Sequence, residues 1–401
     1  MAADATQPQN MSPPLCAIGL MSGTSLDGVD AAVIETDGVS ITGYGPAVTF
    51  PYDPGLRADL RRLLDIAPGL VKGAYDPFLH DVERRLTERH ADAVKALGVS
   101  ADLIGFHGQT VLHRPQEGWT WQIGDAALLA RLTGIDVVYD FRSADMQAGG
   151  QGAPLVPLFH RALAQDLPEA AWHGADYIAV LNIGGVSNVT LIGRDGTLLA
   201  SDAGPGNGPL DDWATLHTGQ ECDCDGALAR SGRVDQAVLA RLLTAPFFRQ
   251  SPPKSLDRLD FSHSLTESGV HDLSAGDGAA TLTAFIAASI AALIWPGREP
   301  GGWIIVGGGR RNPAIMEALR ERLAAPVYAG EAFGWDGDAL EAQCFGYLAV
   351  RSVRGLPLSE PATTGVKTPI SGGRLVSLSP AQTKLSQPSL SQPSLTGKQN
   401  F

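Results

Sequence analysis

Apolar and polar positions change rhythm along this chain in a way that repeats. Residues 15–22 form an apolar run, residues 23–28 a polar glycine turn, and residues 29–35 a second apolar run. Asp37-Gly38 is a hairpin signal, and residues 39–44 return. Short apolar runs bounded by such turns predict a β-meander. About 160 residues later the pattern recurs: 177–183, the turn Gly184-Gly185, 186–192, the hairpin signal Asp195-Gly196, then 197–202. That period is too long for a solenoid repeat and predicts two related domains.

Each meander is followed by helical periodicity. The first is followed by 53–65, 78–97, 125–133 and 156–164, the second by 234–243, 278–294 and 341–353. Short strands are expected at 102–107, 121–123, 136–139 and 303–306, and Asn312-Pro313 marks a further helix start. Strands alternating with helices predict an α/β fold. The expected organisation is a flexible leader (1–14), a first domain (15–140), a connecting segment (141–175), a second domain (176–355) and a return segment (356–378). A disordered tail (379–401), in which LSQPS occurs twice, follows.

Composition narrows the picture. Hydrophobic residues make up 44% and charged residues 18%, values of a folded globular chain. The net charge of −13 leaves no basic surplus for a phosphate backbone or an anionic membrane surface, so neither nucleic acid nor membrane is an expected partner. Residues 278–297 carry no charge over a length that could span a bilayer. They are rich in Ala, Thr and Ser, however, with an apolar stripe at helical spacing behind a Ser274–Asp277 capping signal, which predicts a buried core helix. The start of the chain has neither a basic nor an apolar segment of a signal peptide. Cys16, Cys222, Cys224 and Cys344 show no metal or redox spacing and read as free thiols. Together these predict a cytoplasmic protein.

Candidate chemistry gathers where strands end. Gly23-Thr24-Ser25, Gly184-Gly185 and Gly307-Gly308-Gly309 each follow an apolar run, and bare turns of this kind let an anion approach backbone N–H groups. Neither a P-loop nor a Rossmann fingerprint is present, and nothing has zinc-ligand spacing. Asp202, before a Gly-Pro-Gly turn, stands where a general base could work beside a phosphate, or where an Asp could simply cap the turn. Asp211 and Asp212 read as partners of a helix start. His107, Gln109, Asp125, Asp140, Arg142 and Gln151 form a polar set suited to a small polar ligand such as a sugar.

These segments resemble one family. GLMSGTSLDGVDAA (19–32), FHGQTVLH (106–113), QIGD (122–125), DFRSADMQAGGQGAPLVPLFH (140–160), LNIGGVSNVT (181–190), DAGPGN (202–207) and VGGGRRN (306–312) are similar to the anhydro-N-acetylmuramic acid kinases. The resemblance implies the actin-like fold, two ribonuclease-H-like domains flanking a nucleotide cleft. It implies ATP with Mg²⁺, and a sugar, 1,6-anhydro-N-acetylmuramic acid, that is opened by water and phosphorylated during cell-wall recycling. A homodimer is expected by resemblance alone. Carried over, Gly23, Thr24, Ser25, Leu26, Asp27, Gly28, Val29 and Asp30 would form the first phosphate loop. Gly184 and Gly185 would form the second, and Gly307, Gly308 and Gly309 the adenosine side. Asp202 would be the base and Glu341 would sit near Mg²⁺ or the attacking water. His107, Gln109, Asp125 and Arg142 would face the sugar. Direct metal ligands stay unassigned, because Met21 stands where related loops often carry an acid. Two other readings stay open: a hydrolase of anhydrosugars that needs no ATP, and a non-catalytic actin-like module.

Overall fold

The computed structural model describes residues 13–23, 26–256, 261–293 and 295–378. Thr24, Ser25, most of the 1–14 leader and the 379–401 tail lie outside them. The chain builds β1 (Leu15–Ser22), β2 (Gly28–Thr36), β3 (Ile41–Pro51), β4 (Leu103–Arg114), β5 (Trp119–Ile123) and β6 (Val137–Tyr139). It then builds β7 (Tyr177–Ile183), β8 (Val186–Gly193), β9 (Leu198–Pro205), β10 (Pro300–Val306) and β11 (Val327–Ala329) before β12 (Arg374–Val376) returns.

Both sheets follow one path. In the first the order is β3-β2-β1-β4-β6, with β12 added at the edge and β5 hairpinned onto β4. In the second it is β9-β8-β7-β10-β11. Each opens with an antiparallel meander, then adds two strands parallel to the first. This is the ribonuclease-H-like strand order written twice, and it makes the molecule an actin-like α/β fold.

The core is layered. One apolar cluster lies beneath the second sheet, formed by Leu181, Leu191, Trp213, Phe285 and Ile315 with their neighbours. Another lies on the outer face of the first sheet around Leu20, Leu56, Leu86 and Phe106. The third fills the space between the sheets. It joins Ala17 and Val138 of the first to Val180 and Ile304 of the second through Phe345, Leu348 and Val350. Those last three residues belong to the helix Leu340–Val353. The chain order places this helix after the strands of the second sheet, yet it packs on β1, β2 and β4 of the first. The cause is steric. A Cβ at Gly19 would collide with the Ala342 carbonyl, and one at Gly105 with the Phe345 carbonyl, so two bare positions on β1 and β4 form the groove that receives the helix.

The uncharged stretch is a buried helix, Ala275–Ala291, whose Ser274 cap accepts from the Asp277 amide. Among the described residues no helix is long and apolar enough to cross a membrane. Cys16 and Cys344 are free, whereas Cys222 and Cys224 are bonded to each other, a departure from the four thiols expected. The Asp223 carboxylate accepts from the Leu228 and Ala229 amides and curls this loop, leaving the flanking Cα atoms 5.1 Å apart, within disulfide reach.

Candidate active site

The carboxyl ends of β1, β7 and β10 open onto one crevice between the sheets, the usual ligand edge of an open α/β sheet. A cavity of about 180 Å³ lies there, walled by Met21, Arg142, Asn182, Asn188, Asp202, Ser255 and Glu341, with Leu155, Val156 and Phe345 on its apolar side. Asp202 is carried by β9, directly across from Asn188 of β8, so the two share a face. Strand β9 runs on to Pro205, so Asp202 lies within the strand and does not end it. The Leu256 amide donates to Asp202 Oδ2 at 2.7 Å, which orients the carboxylate.

Glu341 opens the helix Leu340–Val353 and reaches the cavity from the other side. Asn182 Nδ2 donates to its Oε1 at 3.3 Å. The cleft walls strip water from this carboxyl and raise it above the usual carboxylate range, against the pull of Arg142 and the Asn182 donor. The carboxyl is nevertheless accessible from the cleft.

The glycine turns differ in what their bareness serves. Gly307 has φ 76°, and a Cβ there would strike Asn182 Oδ1; a Cβ at Gly309 would strike Ile183. Arg310 pins this turn, donating to the Gly307 carbonyl at 2.9 Å, to Glu331 at 2.6 Å and to Asp338 at 2.9 Å. The 184–185 turn is clamped through its carbonyls. The Asn207 amide donates to Gly184 O at 2.7 Å, and the Gly206 and Gly208 amides donate to Gly185 O at 3.1 and 3.3 Å. Gly206 is bare so that it can approach Gly184 O. Gly184 and Gly185 have no such reason: neither has a positive φ, and a Cβ at Gly185 would meet nothing within 4 Å. The space beside Gly185 is open.

The first loop is partly described. Leu26, at φ 55°, donates its amide to Gly23 O at 3.3 Å, and the Tyr52 amide donates to Asp27 O at 3.0 Å. Asp30 lies across from Met21 in the β1–β2 pair. Thr49 donates to it at 2.6 Å, but burial, with Asp27, Glu341 and Asp338 adding like charge, pushes it up to about 6.

A family profile described as anhydro-N-acetylmuramic acid kinase matches residues 16–377. The chain belongs to that family. The kinase of this name from Acidiphilium cryptum is 59% identical over 91% of this chain and 99% of its own length. Its namesake from Gluconobacter oxydans is 55% identical over 90% and 99%. Among solved structures, a ROK family glucokinase from Streptomyces griseus in complex with glucose and AMPPNP matches at 15% identity, covering 83% of this chain and 99% of that one, with TM-score 0.33. So remote a likeness adds nothing to the assignment. The chain is thus a kinase, a transferase acting on a small sugar with ATP.

Within this kinase cleft the expected residues part company. Asp202, Glu341 and Arg142 come together on the cavity wall, whereas His107, Gln109 and Asp125 do not line it. His107 stands behind Arg142. Gln109 is fully buried, its Nε2 donating to Thr110 O at 3.3 Å. Asp125 caps the helix Ala126–Thr133, its Oδ1 accepting from the Leu128 amide. His107 and Gln109 lie inside β4, which continues to Arg114, so neither stands at a strand end, and Asp125 is engaged as a helix cap. Asn182 and Asn188, which do line the cavity, were missed. Their signal was an amide on each side of the Gly184-Gly185 turn.

Proposed function

We propose that this kinase opens the 1,6-anhydro bridge of 1,6-anhydro-N-acetylmuramic acid with water and phosphorylates the freed O6, giving N-acetylmuramic acid 6-phosphate and ADP. The observation that carries this is the meeting of Asp202 from the second sheet and Glu341 from the helix on the first sheet, around one cavity. Asp202 takes a proton from a water that attacks the anomeric carbon. The C1–O6 bond breaks, O6 takes the γ-phosphoryl group of ATP, and Asp202 returns its proton to solvent. Such attack has oxocarbenium character, which nearby carboxylates stabilise, and a placed general base contributes roughly 10²–10⁴-fold.

The Gly184-Gly185 turn fits a phosphate: it has room and its carbonyls are already occupied, and although the Gly184 amide donates to Val186 O, the Gly185 amide would face the ligand. Gly23 to Asp30 is the second grip on the phosphates, and Gly307 to Gly309 borders the adenosine. Among the described residues no group of three His, Cys, Asp or Glu could hold a metal ion. Mg²⁺ would therefore be held chiefly by the nucleotide's phosphates, where it neutralises their charge. On the sugar side Arg142, Asn182 and Asn188 replace the wider set expected. Dependence on ATP favours work in the cytoplasm, in the recycling of cell-wall sugars, and a homodimer is the expected assembly.

Asp202→Asn tests the assignment. Product formation should fall by roughly 10²–10⁴-fold, followed as ADP release, while calorimetry shows ATP binding retained. Turnover close to the parent's would remove Asp202 from the base role.

A further inference from the structure

His107 is buried and does not line the cavity described above. Its two ring nitrogens have partners of opposite character. Nδ1 lies 2.7 Å from the Gly108 carbonyl, which can only accept, so Nδ1 carries the hydrogen. Nε2 lies 3.1 Å from Arg142 Nε and 3.0 Å from Arg142 Nη2, and a guanidinium can only donate, so Nε2 is bare. The ring is therefore a neutral imidazole in one tautomer, with its lone pair spent on Arg142. Phe345, from the helix that carries Glu341, packs against the ring at 4.5 Å between centroids and fixes its plane.

Arg142 is held on its other side by an equally neutral acceptor. Its Nη1 donates to Gly152 O at 2.7 Å. Gly152 is itself anchored, its amide donating to Asp145 Oδ1 at 2.6 Å. Three of the five guanidinium hydrogens are thus engaged by groups that carry no charge, and two remain for the cavity that Arg142 lines. An arginine gripped by carboxylates would bring a cancelled charge. Gripped by an imidazole lone pair and a carbonyl, it is fixed in orientation by neutral partners, and its charge acts on Glu341, which lines the same cavity.

We propose that His107 is a positioning residue: as the Nδ1–H tautomer it aims the Arg142 guanidinium at the sugar pocket while bringing no charge of its own. This rests on the sugar-kinase reading and deepens it. His107 itself touches no reactant; it acts through Arg142.

Two variants and one spectrum test it. His107→Phe keeps a flat ring and removes the acceptor, whereas His107→Gln places an oxygen near the Nε2 position. The Phe variant should raise the KM for 1,6-anhydro-N-acetylmuramic acid by about tenfold or more with the KM for ATP little changed, and the Gln variant should recover most of that loss. In ¹⁵N NMR of the histidine-labelled enzyme, the resonances that the parent shows and His107→Gln lacks should be those of an imidazole protonated at Nδ1 and bare at Nε2, which separates His107 from His90, whose Nδ1 also faces a carbonyl. An unchanged sugar KM in the Phe variant overturns the proposal, as does a Gln variant impaired as badly as Phe, or a proton on Nε2. If His107→Phe does not fold, the spectrum and the Gln variant decide. A parent enzyme that does not turn over the anhydrosugar contradicts the sugar-kinase reading instead, and the spectrum still judges the tautomer.

Discussion

Gly185 and Gly206 sit in the same corner of the cleft and are bare for opposite reasons. Gly206 has no room for a Cβ, because the Gly184 carbonyl occupies its place; Gly185 has nothing near it at all. Their substitutions should therefore separate stability from function. Gly185→Ala should leave the melting temperature within a degree or two of the parent's and raise the KM for ATP, because a methyl group would enter the space proposed above for a phosphate. Steady-state kinetics beside a thermal melt checks this. A large loss of stability with unchanged ATP kinetics would make the turn purely structural. At this scale the sequence was partly legible. Asp202, Glu341 and Arg142 lie next to glycine turns or at a helix start, where a charged side chain has few structural duties. Gln109 and Asp125 lie off this cavity wall: Asp125 caps a helix and Gln109 is buried within β4, positions that the sequence alone does not separate from a ligand wall.

One helix decides the geometry of the site. Leu340–Val353 lies between the two sheets, fills the apolar layer they share, and presents Glu341 at its first turn. Its position depends on Gly19 and Gly105, whose missing Cβ atoms let the helix backbone sit against the strands. Gly19→Ala should push the helix away at a cost of roughly 2–4 kcal/mol, as overpacking does. It should also lower turnover, because Glu341 moves with the helix. Chemical denaturation together with activity measures both; a stable and fully active variant would show that the close approach is not required. Most helices and strands were readable from periodicity. The partner of this helix was not, because periodicity reports that one side of a helix is buried and says nothing of which sheet buries it.

The molecule as a whole is one architectural idea used twice. The meander with a glycine turn appears near residue 15 and again near residue 177, and the two sheets carry the same strand order. This duplication could be read from the chain because local turn chemistry marks each meander. The additions at the rims, β5 on β4 and β12 at the edge, could not, because they depend on pairing between segments distant in sequence or too short to show a period. The crevice between the sheets brings Asp202 from one sheet and Glu341, on a helix packed against the other, to one cavity, where the proposed chemistry would take place. The most direct measurement is mass spectrometry of a reaction containing ATP, Mg²⁺, 1,6-anhydro-N-acetylmuramic acid and ¹⁸O-labelled water. The account predicts a product that has gained one phosphate on O6 and one solvent oxygen at the anomeric carbon, both dependent on ATP. A phosphorylated sugar with its anhydro bridge intact, or an opened sugar formed without ATP, would contradict it.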